Sequence, residues 1–225
     1  MAHGQFISFE GGEGAGKTTQ ITLFSAWLQS KGHEVVTTRE PGGTKGAEHL
    51  RNFIKYGHEF DLSPKTETVL IYAARMDHVE KIIRPALSQG KIVLCDRFHD
   101  STLAYQGGAR GVDAEWIMKL HLHLMDDFFP DLTFFLSLPP EQGLKRAQNR
   151  LQDQEKSRDS ALKQADDRFE NAGPEFHQRV AAYFEQLARL SPRRIVKIDA
   201  DQPEPMVADQ ISSAFSNHMQ SLEAD

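Results

Sequence analysis

The sequence of 225 residues is poor in several features that define common protein classes. Its single cysteine, Cys95, excludes an intramolecular disulfide framework and a multi-cysteine zinc site, and it fits a reducing, cytoplasmic setting. No apolar run approaches the roughly 18–20 residues that span a bilayer, so no membrane partner is expected. Basic residues number 26 against 32 acidic ones, and the formal net charge of −6 argues against a protein that coats nucleic acid. Residues 1–5 contain no basic stretch before an apolar core, so no signal peptide is expected.

Short apolar runs alternate along the chain with longer amphipathic segments. The runs predict strands at 5–10, 34–38, 91–96, 131–138 and 194–198. Helical spacing predicts helices over 18–30, 67–88 and 114–127. Pro85 is expected to bend or divide the second of these helices. Nearly continuous apolar strands that alternate with helices are typical of one α/β domain whose parallel five-stranded sheet is covered by helices on both faces.

One glycine-rich segment carries a phosphate-binding pattern. Residues 11–18, GGEGAGKT, match G-x-x-x-x-G-K-[ST] and lie between a predicted strand and a predicted helix. The glycines let successive backbone N–H groups point at one spot, and the helix start adds the positive end of its dipole. Lys17 is predicted to reach the β- and γ-phosphates of ATP, and Thr18 to offer its hydroxyl to Mg²⁺. The predicted ATP site comprises Gly11, Gly12, Glu13, Gly14, Ala15, Gly16, Lys17, Thr18 and Thr19.

A P-loop of this kind predicts a nucleoside triphosphate but not a reaction. A GTPase would carry an N-K-x-D motif that reads the base, and this sequence contains none. Motor and transporter ATPases usually run longer and carry further nucleotide-sensing motifs. A separate acceptor site is therefore the feature that would indicate a small-molecule kinase.

Polar clusters at predicted strand ends indicate an acceptor that carries phosphate. Arg39 follows the second strand, Arg97 follows the third, and Arg75 lies on the helix between them. Ligands of open α/β sheets bind at the carboxyl ends of the strands, and the planar guanidinium donates two parallel hydrogen bonds to phosphate. A lone arginine more often forms a surface salt bridge, but three around one sheet edge favour an anion site.

With these motifs the chain resembles the bacterial thymidylate (dTMP) kinases. The resemblance rests on FEGGEGAGKTTQ (9–20), TREPGGT (38–44), YAAR (72–75), DRFHDSTLAYQGGARG (96–111) and DRFE (167–170). It implies a nucleoside monophosphate kinase domain over 1–225 that transfers the γ-phosphoryl group of ATP to dTMP, usually as a homodimer. Thr18 and Asp96 would approach Mg²⁺. Two alternatives stay open: a kinase for another nucleoside monophosphate, and a P-loop NTPase regulator without an acceptor.

The resemblance also assigns residues to the phosphate and sugar of dTMP. Arg51 and Arg97 would hold the phosphate, and Glu13 would accept from the 3′-hydroxyl. Tyr105 would crowd the C2′ position and select against ribose, while Glu40 would order the pocket. No side-chain nucleophile is needed, because the acceptor phosphate oxygen is already anionic.

A second group of residues would surround the thymine base. Arg75 would donate to a thymine carbonyl, and Thr102 and Gln106 would address the edge near N3. Ile71 stands where the family typically has a stacking phenylalanine, and Phe98 stands where tyrosine or histidine is more usual. The Ile71 difference motivates the alternative of another monophosphate. The expected dTMP set is Glu13, Glu40, Arg51, Ile71, Arg75, Arg97, Ser101, Thr102, Tyr105 and Gln106.

The stretch 141–170 differs from the rest of the chain, with seven acidic and seven basic residues. It fits either a solvated surface helix or a mobile lid over the phosphates. The P-loop positions 12–15 carry no basic residue, so the charge that offsets repulsion between two phosphates must come from elsewhere. Resemblance to members with lid arginines favours a lid. The expected catalytic residues are Lys17, Arg97, Arg146 and Arg150, with Arg158 and Arg168 as alternatives to the lid pair.

Overall fold

The computed structural model describes residues 4–56, 60–155 and 172–224. The five predicted strands are all present, with ends that differ by at most one residue from the expectation. They are β1 (Gln5–Glu10), β2 (Val35–Arg39), β3 (Ile92–Asp96), β4 (Leu132–Ser137) and β5 (Ile195–Asp199). These strands form one parallel sheet in the order β2-β3-β1-β4-β5. The predicted α/β class and sheet are confirmed.

Helices connect these strands. They are α1 (Lys17–Ser30), α2 (Lys45–Tyr56), α3 (Pro64–His78), α4 (Arg84–Ser88), α5 (His99–Thr102), α6 (Ala114–Met125), α7 (Pro140–Glu155), α8 (Pro174–Leu190) and α9 (Glu204–Ala224). Two π-helical segments, Val79–Ile83 and Leu103–Ala109, follow α3 and α5. None of the helices in the described part of the chain is long and apolar enough to cross a membrane.

The helix expected over 67–88 is divided by the first π-helical segment. The backbone N–H of Arg84 reaches back five residues to the carbonyl of Val79, and Pro85 then opens α4. Proline lacks the N–H of an α-helical bond and crowds the preceding turn, so the wider π turn accommodates it. At Pro85 the structure thus shows a change from π-helix to α-helix just before the proline.

Alternating side chains of β1 divide the core into two faces. Ile7 and Phe9 pack with Phe24 and Phe215 beneath α1 and α9. Phe6 points to the other face, where α3 and α6 cover it. Burying an aromatic or aliphatic side chain of this size contributes about 1.5–3 kcal/mol, so each face holds its helices firmly. The sheet is therefore a rigid base for the loops that leave its carboxyl edge.

The order of the strands places the crevice between β1 and β3. The chain leaves β1 for β2 at one edge, returns through β3, and crosses to β4 on the far side of β1. The register sets Asp96 beside Phe9 and also beside Arg39. Loops that diverge from neighbouring strands leave an open crevice at the carboxyl edge, where ligands of such sheets bind.

Candidate active site

A cleft of about 740 Å³ opens where β1, β2 and β3 end. P-loop residues 13–19 form one wall, and Asp96 and Arg97 lie beside them. All ten residues expected around dTMP line the same cleft. The structure thus brings together residues that lie far apart in sequence, while their individual roles stay predictions.

The P-loop has the shape of an anion cradle. Gly11, Gly14 and Gly16 adopt φ angles of 143°, 65° and 88°, which residues other than glycine rarely adopt. The Lys17 ammonium donates to the carbonyls of Gly11 (3.2 Å) and Gly12 (2.9 Å). Burial and the nearby charge of Arg97 lower the pKa of Lys17. Lys17 also lines the cleft, so its ammonium can reach a phosphate bound there.

Two oxygens at the foot of the P-loop fit a magnesium ion. The Thr18 hydroxyl donates to Oδ2 of Asp96 at 3.2 Å. The other carboxylate oxygen, Oδ1 of Asp96, is buried and has no hydrogen-bond partner within the described ranges. Mg²⁺ prefers oxygen ligands and typically takes one or two from protein and the rest from phosphates and water. The hydroxyl and the unsatisfied carboxylate oxygen match that preference.

Arg97 is held in place by several neighbours at once. Its Nη1 donates to the Gly11 carbonyl (3.0 Å) and to the Ser101 hydroxyl (3.2 Å), and its Nη2 donates to Glu13 (2.8 Å). The guanidinium also lies 4.8 Å from the ring centre of Tyr105. The backbone of Arg97 is left-handed, with φ of 71°, a strained conformation that the surrounding contacts maintain. These contacts fix the guanidinium between the P-loop and the acceptor side of the cleft.

Glu13 carries a firmly held negative charge beside this arginine. Its Oε1 accepts from Tyr105 Oη at 2.9 Å as well as from Arg97. Burial opposes ionisation, but the charges of Arg97 and Lys17 outweigh it and hold the pKa of Glu13 at about 2. A carboxylate that stays ionised can accept from a sugar hydroxyl over the whole physiological range.

Arg75 occupies a buried position on the opposite wall. Its Nε donates to Glu40 at 2.6 Å and its Nη2 donates to Thr102 at 2.9 Å. Its side chain is 1% exposed and is sandwiched between the rings of Tyr72 and Phe98. The remaining nitrogen, Nη1, is buried with no partner among residues the structure describes. A buried donor without a partner costs roughly 1–3 kcal/mol, and because Arg75 lines the cleft, this nitrogen can donate to a ligand bound there.

A family model for thymidylate kinase matches residues 9–211. The chain is 47% identical over 205 residues to the thymidylate kinase of Magnetococcus marinus, covering 91% of this chain and 92% of that protein. It is 47% identical over 212 residues to the thymidylate kinase of Caulobacter vibrioides, covering 94% and 96%. The chain belongs to the thymidylate kinase family. A crystal structure of thymidylate kinase from Ehrlichia chaffeensis, 32% identical, matches the fold with a TM-score of 0.74 over 95% of this chain and 99% of that one.

Arg51 and Ile71 complete the part of the site that the family resemblance singled out. Arg51 on α2 donates from Nη1 to the Pro41 carbonyl at 2.9 Å, which ties α2 to the loop after β2. Ile71 on α3 is 8% exposed and lines the cleft near Arg75. An aliphatic side chain therefore covers this wall, where the family typically has an aromatic ring.

The lid residues lie partly outside the described residues. Arg146 on α7 donates to the Ala200 carbonyl at 3.3 Å and lies 3.8 Å from Asp201, away from the cleft lining. The side chain of Arg150 is not described, and residues 156–171, which contain Arg158 and Arg168, lie outside the described ranges. The expected lid at 141–170 and the choice among its arginines stay predictions.

Two buried carboxylates near the site were not predicted from the sequence. Glu10, the last residue of β1, accepts from the Phe98 N–H (2.7 Å) and from the Ser101 hydroxyl (2.5 Å). Glu67 on α3 accepts from Gln106 at 2.9 Å. An acidic residue inside an otherwise apolar strand, directly before a glycine run, was the available signal for Glu10. Glu67 gave no such signal, because its partner is 39 residues away.

Proposed function

We propose that this protein is a dTMP kinase, which transfers the γ-phosphoryl group of ATP to dTMP and yields ADP and dTDP. The observation that carries the proposal is a single cleft lined on one side by the P-loop and on the other by Arg75, Arg97 and Gln106. Membership of the thymidylate kinase family supports dTMP as the acceptor. The finer assignments below, including one kinase domain over 1–225 with a lid, belong to the same proposal.

On the donor side, the P-loop would hold the triphosphate of ATP. Its backbone N–H groups and the start of α1 supply partial positive charge, and no acidic residue lies in the first turn of α1 to offset it. Lys17 would add a full charge at the β- and γ-phosphates. Thr18 and Asp96 would hold Mg²⁺, which when bound neutralises charge on the donor phosphates.

On the acceptor side, Arg97 and Arg51 would hold the phosphate of dTMP close to the donor. Arg97 already contacts the Gly11 carbonyl, so the group it binds is brought next to the P-loop. Positioning of two reactants and neutralisation of their charges account for most of the rate enhancement in phosphoryl transfer. The ionised Glu13 would accept from the 3′-hydroxyl, and the Tyr105 ring beside it would exclude a 2′-hydroxyl.

The charge that closes the site would come from the lid. Arg146 and Arg150 are the proposed sources, and Arg146 would have to leave Ala200 and Asp201 to reach the cleft. A surface contact of this kind contributes at most about 1 kcal/mol, so such a movement costs little. A homodimer in the cytoplasm completes the proposal, and the family assignment supports it.

The test is ADP formation from ATP and Mg²⁺ with a panel of acceptors: dTMP, dUMP, UMP, dCMP, AMP and none. We expect a strong response to dTMP and a weak one to the others. ADP formation that does not depend on an acceptor would instead indicate an NTPase regulator. A preference for a different monophosphate would mean that the reaction type is right and the base is wrong.

A further inference from the structure

A buried hydrogen-bonded trio lies behind the wall of the cleft that carries Gln106. Glu67, in the first turn of α3, is 0% exposed. Its Oε1 accepts from Nε2 of Gln106 at 2.9 Å, and its Oε2 accepts from Nη1 of Arg110 at 2.6 Å. Gln106 is 3% exposed and lines the cleft, whereas Glu67 and Arg110 do not line it. Gln106 is thus the residue through which the carboxylate reaches the cleft in the described contacts.

This arrangement fixes which end of the Gln106 amide faces the cleft. A carboxylate only accepts hydrogen bonds, whereas an amide has a donating NH₂ group and an accepting oxygen. If the amide were turned around, its oxygen would lie against the oxygen of Glu67, and two acceptors would repel each other. The NH₂ group is thus committed to Glu67, and Oε1 of Gln106 is left to accept from a ligand.

The neighbouring Arg75 offers a hydrogen-bond donor, whereas Gln106 offers an acceptor. Two of its nitrogens are committed to Glu40 and Thr102, and its third, Nη1, is the buried donor without a partner in the described residues. Nη1 of Arg75 as donor and Oε1 of Gln106 as acceptor thus form a complementary pair on this wall. Thymine presents O4 as an acceptor beside the N3–H donor, whereas cytosine presents its amino group as a donor beside the accepting N3. The pair matches the thymine edge and mismatches the cytosine edge in both positions.

We propose that Glu67 is a positioning residue that sets base selectivity by holding the Gln106 oxygen toward the nucleobase. This inference rests on the proposed function, which places dTMP in the cleft. Glu67 does not touch the ligand; it determines the hydrogen-bonding character of the residue that does. Arg110 has a different part, because its charge stabilises the buried carboxylate without contacting Gln106 in the described contacts.

The test is Glu67→Gln, measured with dTMP and 5-methyl-dCMP, which differ only at the base edge in question. The amide introduced at position 67 would turn its oxygen to the charged Arg110 and its NH₂ group to Gln106. Gln106 would then turn its own NH₂ group into the cleft. We expect the kcat/KM ratio of dTMP over 5-methyl-dCMP to fall roughly 10- to 100-fold, mainly through the KM for dTMP.

The matched control is Arg110→Gln, which perturbs the same trio but leaves the contact between Glu67 and Gln106. Its selectivity ratio should stay within about twofold of the unmodified protein. A folded Glu67→Gln protein with an unchanged ratio, or an Arg110→Gln protein with an equal loss, would overturn the positioning role. Calorimetric binding of the two nucleotides gives the same selectivity without turnover, so failure of the proposed reaction is distinguishable from failure of this inference.

If Glu67→Gln does not fold, the unmodified protein still decides the question by NMR. The NH₂ hydrogen of Gln106 that Glu67 accepts should exchange slowly with water in the free protein and remain protected when dTMP binds. Rapid exchange in the free protein, or protection that appears only with dTMP, would show that Glu67 does not hold the amide and would overturn the inference.

Discussion

Glu10 allows a quantitative test of how the buried carboxylates act, because its ionisation depends on pH. Its oxygens accept from the backbone of Phe98 and the hydroxyl of Ser101, in the segment directly after Arg97. Burial and then the nearby charge of Asp100 raise the pKa of Glu10 from 4.5 to about 8. At neutral pH the folded protein therefore holds a proton on Glu10 that the unfolded chain has lost.

The sign of the effect on stability follows from this difference in bound protons. The stabilisation from the proton on Glu10 is fully present below pH 4.5 and is lost as the pH rises toward about 8. Within this window, each pH unit lowers the free energy of unfolding by about 1.4 kcal/mol. Glu10→Gln keeps the size of the side chain and cannot ionise, so it removes this contribution.

The measurement is urea unfolding of both proteins at several pH values between 5 and 9. Subtracting the two free energies cancels the titration of other groups, such as His121, whose pKa burial lowers to about 3. The stability of the unmodified protein relative to the variant should decline by several kcal/mol across the window and then level off. Parallel curves for the two proteins would refute a protonated Glu10.

Three further predictions concern residues of the cleft and the lid. Arg97→Ala should lower kcat about 10²- to 10³-fold while ATP affinity, measured by calorimetry, stays nearly intact; equal losses of both would reject its acceptor role. Tyr105→Ala should lower the kcat/KM ratio of dTMP over its ribonucleotide counterpart, whereas Tyr105→Phe should retain that ratio. An unchanged ratio in the alanine variant would reject the steric role. Arg146→Ala should lower kcat about tenfold or more with little change in melting temperature, and an equal loss in the neighbouring Lys145→Ala would contradict a specific role.

The strands of this fold could be predicted because their signal is local. Strands such as 92–95 are buried on both faces, so their residues are consecutively apolar and can be recognised in the sequence. Helix α2 was not predicted; among its apolar side chains that the structure describes, Ala47 and Ile54 are the buried ones, so its apolar face is narrow. A local signal was present at its start, since the Thr44 hydroxyl accepts from the N–H of Ala47, as a helix cap does. The π-helical segments depend on packing, which residue periodicity does not report.

The residues of the site likewise divide into those with a local sequence signal and those without one. P-loop glycines and Lys17 form a contiguous pattern, and Arg75 and Arg97 were indicated by their places around the predicted strand ends, while Arg51 and the individual roles came from the resemblance to a family. Of the residues that orient those groups, Glu40 came from the resemblance, whereas Glu10 and Glu67 were not predicted, because their partners are distant in sequence. Glu10 and Ser101 lie 91 residues apart and meet only when β1 and β3 pair. Contacts of this kind are set by the topology of the sheet, which a single sequence does not specify.

Buried acidic side chains orient the polar groups of the cleft in this protein, whose net charge is −6. Glu40 binds one side of the Arg75 guanidinium, and Glu10 holds the Ser101 hydroxyl that Arg97 contacts. Glu67 binds the inner end of Gln106. Each acidic side chain accepts a hydrogen bond from the donor of its partner that faces the core. The remaining donors and acceptors of the partner therefore face the cleft. Buried ion pairs such as that between Glu40 and Arg75 often add little to stability, and here the contribution of the buried acidic side chains is specificity, since each one determines what its partner can offer to a ligand.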